Sequence, residues 1–99
     1  MNKIIWVVEI RDYLDDLTLP LITFAFDSYD EAKGYVDEYI ERLFEKIKKP
    51  YRHSQVSEIS TYDERKRQFI AVMYELYNPE IIKYVARATI SKVMFYEEV

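Results

Sequence analysis

The sequence contains no cysteine, one glycine, three prolines and one histidine in 99 residues. Without cysteine there can be no disulfide framework, cysteine nucleophile or thiolate-ligated zinc, and the redox compartment is not written in the residues. A single glycine excludes phosphate-cradling loops of the Walker or Rossmann type, which need several positions where backbone approaches the ligand. That glycine, Gly34, stands inside a helical pattern. Long apolar runs are also missing. Met1-Asn-Lys-Ile-Ile-Trp-Val-Val-Glu9 turns charged after five apolar residues, so neither a signal peptide nor a membrane span is expected there. Asparagine and glutamine occur only at Asn2, Gln55, Gln68 and Asn78.

What is present is a chain that is 49% hydrophobic, 16% aromatic and 32% charged, with a net charge of −4. A disordered chain combines low hydrophobicity with high net charge, so this one folds. Its length fits one domain. Abundant Lys and Glu with few thermolabile side chains is the bias of hyperthermostable proteins. The codon usage of an AT-rich genome gives the same bias, and both explanations fit.

Alternation over Lys3–Arg11, with Ile4, Trp6, Val8 and Ile10 on one face, predicts a strand. Ile5 and Val7 make the other face partly apolar, which suits an interior position in a sheet. Asp12-Tyr-Leu-Asp-Asp-Leu17 reads as a hairpin loop and Thr18–Phe26 as a second strand, with Pro20 near its start. Ser28-Tyr-Asp-Glu31 then fits a capping box. Beyond it Ala32, Tyr35, Val36, Tyr39, Ile40, Leu43, Phe44 and Ile47 share one helical face, and Pro50 stops the helix. Glu38–Arg42 and Glu45–Lys49 are favourable i,i+4 pairs. Gly34 falls on the polar face. His53–Thr61 reads as a third strand with a bulge, because Val56 and Ile59 are three apart. Gln68–Tyr77, apolar on both faces, is the candidate central strand. Asn78-Pro79-Glu80 has the features of a helix start, which favours a short second helix over Pro79–Ala88 and a last strand over Thr89–Glu97. The alternative from the same residues is a hairpin turn, with Tyr84–Phe95 as alternating strand. The expected fold is α+β: an antiparallel sheet of about five strands, with one long amphipathic helix packed on it and this short second helix.

No catalytic set emerges. His53 lacks an identifiable orienting partner, and Asp12, Asp15 and Asp16 lack the spacing and turn glycine of a calcium loop. A metal-dependent nuclease built on those three carboxylates is the weakest reading. No cofactor and no resident metal are expected. Charge is uneven: residues 1–45 hold 11 acids and 4 bases, and residues 46–99 hold 7 acids and 10 bases. The basic excess lies in Lys46, Lys48, Lys49, Arg52, Arg65, Lys66 and Arg67. If the Arg65–Arg67 turn returned to the helix end, these groups would form one patch, with Tyr51 and Tyr62 as stacking surfaces for single-stranded bases. Exposed tyrosines also suit a protein interface or a homodimer seam.

Three stretches, Lys3-Ile-Ile-Trp-Val-Val-Glu-Ile-Arg-Asp-Tyr13, Phe24-Ala-Phe-Asp-Ser-Tyr-Asp-Glu-Ala-Lys-Gly-Tyr-Val36 and Ile90-Ser-Lys-Val-Met-Phe-Tyr-Glu-Glu98, resemble the small accessory proteins shared by filamentous and rod-shaped viruses of hyperthermophilic archaea. The resemblance lies in strand texture, helix opening and composition, with no signature motif, and carries over no site residue. It implies an accessory protein of α+β fold in the host cytoplasm. By analogy, its function would be to inhibit host CRISPR defence. The expectation is therefore a non-enzymatic protein that binds a host or viral protein or ribonucleoprotein. Direct nucleic-acid binding through the basic patch is the alternative.

Overall fold

The computed structural model describes residues 2–13, 22–47, 51–75, 77, 78 and 80–96. Five strands, β1 (Asn2–Asp12), β2 (Ile22–Phe26), β3 (Tyr51–Ile59), β4 (Lys66–Glu75) and β5 (Ile82–Tyr96), form one antiparallel sheet in the order β2-β1-β5-β4-β3. One helix, α1 (Tyr29–Lys46), packs on one face, giving the expected α+β architecture. No described helix is long and apolar enough to cross a membrane.

The helix begins where its capping residue dictates. Ser28 is extended, and its hydroxyl accepts a 3.1 Å hydrogen bond from the Glu31 N–H. Asp30 and Glu31 then face the positive end of the helix dipole, and Lys46 the negative end. Ala32, Val36, Ile40 and Leu43 are buried, while Tyr35, Tyr39, Phe44 and Ile47 flank them half-buried. Their partners include Val8 and Ile10 of β1 and Ala86, Ala88 and Ile90 of β5. The alanines leave the floor low enough for the helix to settle close to the sheet. Each of the large aliphatic side chains buried here contributes about 1.5–3 kcal/mol. Glu38 and Arg42 pair as expected at 3.9 Å, and Lys33 pairs with Asp37.

Three expectations need correction. The first is the second helix. Residues 82–96 form one 15-residue strand, so the hairpin alternative holds and residues 82–88 of the expected Pro79–Ala88 helix are strand; Pro79 lies outside the described residues. Glu75 N–H donates to the Ile81 carbonyl across that turn, and Ile81 N–H donates to the Asn78 carbonyl. The helix-like spacing has a physical source. Ala71 pairs Ala86 but Val72 pairs Tyr84, so Val85 is an extra, bulged residue and the alternation breaks there.

The second correction concerns the sheet centre. β4 is interior, but β5 holds the middle, pairing β1 from Asn2 to Asp12 and β4 from Lys66 to Tyr74. At about 3.4 Å per residue it spans roughly 50 Å, which accounts for the molecule's 59 Å long axis. Finally, the irregularity in β3 lies between Tyr51 and His53, not at Val56–Ile59. Three residues apart in a regular strand, Val56 and Ile59 simply face opposite sides. Of the expected second strand, Ile22–Phe26 is described; its earlier residues lie outside the described set, as do Asp15 and Asp16.

Candidate binding face

Among the described residues, the structure sets the Arg65–Arg67 turn apart from Lys46, the described member of the other basic cluster read from the sequence. Arg67 places its guanidinium 5.0 Å from the ring centre of Tyr29, the first residue of α1, whereas Lys46 is the last. An 18-residue helix measures about 26 Å at 1.5 Å per residue. Arg65, Lys66, Arg67 and Tyr62 therefore sit at one end of the helix, and Lys46 with the backbone of Tyr51 and Arg52 at the other. Lys48 and Lys49 lie outside the described residues, as do the side chains of Tyr51, Arg52 and His53.

Arg67 is also engaged inside the fold. Its Nε donates to Glu58 Oε1 at 2.7 Å and its Nη2 to Oε2 at 2.9 Å, a two-pronged bond between neighbouring strands. Those hydrogen bonds hold the Glu58 carboxyl below its ordinary pKa of 4.5. Tyr29 carries the Arg67 guanidinium and meets Trp6 edge-on, with ring centres 5.4 Å apart. Lys92 Nζ lies 5.9 Å from the centre of the Trp6 ring. Tyr35 contacts Phe24, Phe26 and Tyr39. Three of the ten tyrosines, Tyr29, Tyr35 and Tyr39, are thus spent on packing around α1. Tyr62 and Tyr77 stand exposed on separate turns.

Among the described residues no element covers the other face of the sheet. Strand alternation and register fix what it displays. One row across it reads Arg11 (β1), Arg87 (β5), Ile70 (β4) and Ser57 (β3). The next row toward the N-terminus of β1 reads Thr23, Glu9, Thr89, Gln68 and Ile59, followed by Ala25, Val7, Ser91 and Lys66. On the opposite side of the Arg11 row lie Tyr84, Val72 and Gln55, then Ile82 and Tyr74. Tyr74 donates its hydroxyl proton to Gln55 Oε1 at 2.9 Å.

Two features of this face were hidden in the sequence. Arg11 and Arg87 stand directly opposite each other on adjacent strands, and neither has an ion-pair partner among the described residues. The bulge at Val85 also brings Tyr84 to the same face as Arg87, three residues away, where regular alternation would send it to the other side. Tyr84 is 56% exposed.

Charge is distributed across the sheet, not only along the chain. The open face carries Lys3, Arg11, Lys66 and Arg87 against Glu9. The helix on the far side carries Asp30, Glu31, Asp37, Glu38, Glu41 and Glu45 against Lys33, Arg42 and Lys46. Among the described strand residues the open face is therefore the more basic one, although Lys3 shares a hollow with Asp27 and Glu31, and Lys66 one with Asp63 and Glu64. No group of three or more potential metal ligands occurs among the described residues. Comparison with protein families, with curated proteins and with solved structures gives no match.

Proposed function

We propose that this chain works by binding rather than by catalysis, and that its partner-binding surface is the open sheet face, which takes an anionic macromolecule. The observation that carries this reading is the opposed pair Arg11 and Arg87. Like charges directly across a ladder destabilise a sheet, so an external anion on that pair supplies a compensation that no described residue provides. The surrounding cations and the acidic far side orient such a partner before contact.

This retains the expectation of a non-enzymatic accessory protein acting on a host or viral macromolecule, and moves its contact surface from the helix-end patch to the sheet. The test is elution from heparin-agarose at low ionic strength. Retention of this acidic protein, with earlier elution of the variant combining Arg11→Thr and Arg87→Thr, is expected. Passage of the parent protein straight through the column would reject the reading.

A further inference from the structure

Resting on that reading of the open face, we infer that its anionic partner is single-stranded nucleic acid, with a base stacked on Tyr84 and phosphates held by Arg11 and Arg87. Cations alone would suit any polyanion. The distinguishing feature is what stands beside them. Tyr84 presents a half-exposed ring next to the arginine pair, and it does so because of the Val85 bulge. Bulges commonly re-aim one side chain at a working surface. Every base has a π-face, so an exposed ring beside cations forms a sequence-tolerant platform for unpaired bases.

The remaining rows fit the same ligand. Thr89, Ser91 and Gln68 line the middle of the face and Ser57 its β3 edge with hydroxyls and an amide that both donate and accept hydrogen bonds. Gln68 Nε2 already donates to Thr89 Oγ1 at 3.5 Å and Gln55 Nε2 to Ser57 Oγ at 3.1 Å, which leaves their remaining donors and acceptors for a ligand. Splayed bases offer edges of both kinds. An acidic polypeptide would use the cations and leave the ring and the amide unused. A duplex hides its base faces inside its stack and shows its edges only in the grooves, and an open sheet roughly 19 Å wide, four strand spacings of about 4.8 Å, has no ridge to enter one. A second copy of this chain is disfavoured by charge, because packing this face on its twin would bring together two surfaces whose strand positions carry more cations than acids.

The experiment is fluorescence anisotropy of labelled oligouridylate and oligothymidylate with the full chain, with heparin and a mixed-sequence duplex as competitors. The single strands are expected to bind and to be displaced by heparin more readily than by the duplex. Combining Arg11→Thr with Arg87→Thr should weaken binding and lower the salt slope by about 1.4, two phosphates at roughly 0.7 each. Tyr84→Ala should weaken binding about tenfold with the salt slope unchanged, while Tyr84→Phe binds as the parent does. Circular dichroism of each variant confirms that it is folded. Heparin binding without oligonucleotide binding, equal affinity for the duplex, or indifference to Tyr84→Ala in a folded variant would overturn this inference and leave the polyanion-binding reading standing. Failure of heparin and oligonucleotide alike would overturn both.

Discussion

Arg11 and Arg87 face each other across the β1–β5 ladder on the uncovered side of the sheet, with no ion-pair partner among the described residues. A like-charge pair in direct register costs stability. Arg87→Thr should therefore make the free protein more stable while weakening its hold on a polyanion. For a domain of this size each kcal/mol moves the melting temperature by about 4–8 °C. Thermal melts with and without heparin check both halves. A variant that melts lower than the parent would show that Arg87 stabilises the fold, against the role assigned to it.

The Glu58–Arg67 fork gives a pH signature. Hydrogen bonding from Arg67 lowers the Glu58 pKa, so the folded value lies below the unfolded one. The stability from this pair is fully present above the unfolded pKa and is lost as pH falls through the folded value, a window below 4.5. Carbon-detected NMR titration of the Glu58 carboxyl should give a midpoint under 4.5. In Arg67→Gln that midpoint should rise toward the ordinary value. An identical midpoint in parent and variant would mean that the fork does not form in solution.

Gly34 sits exposed in mid-helix, and a Cβ built there meets nothing within 4 Å. With no steric conflict, Gly34→Ala removes only backbone freedom from the unfolded chain. It should stabilise by about 0.5–1 kcal/mol. Denaturant unfolding is the check, and a lower midpoint in Gly34→Ala would contradict the absence of steric conflict at this position.

What the sequence made legible follows from the range of the forces involved. The helix was readable because Ser28, Glu31 and the stripe from Ala32 to Leu43 act within a few residues of one another. β1 was readable because its alternation runs unbroken into a sheet buried on the helix side. Residues 79–88 misled because Asn78 and Pro79 suit a turn as well as a helix start, and the Val85 bulge mimics helical spacing. Only pairing with both β1 and β4 decides between the two readings. The arginine pair was illegible for a related reason. Arg11 and Arg87 belong to strands at opposite ends of the chain and meet only through register. Local charge counting instead drew attention to Arg67, whose charge is already answered by Glu58.

The most direct test of the open face as the binding surface is a two-dimensional amide NMR titration of the isotopically labelled chain with oligouridylate. Shifts concentrated at Arg11, Tyr84, Arg87, Thr89 and Gln68, with α1 residues such as Glu38 and Glu41 undisturbed, are the predicted result. Shifts clustered instead on α1, or at the helix-end residues around Lys46, would contradict it.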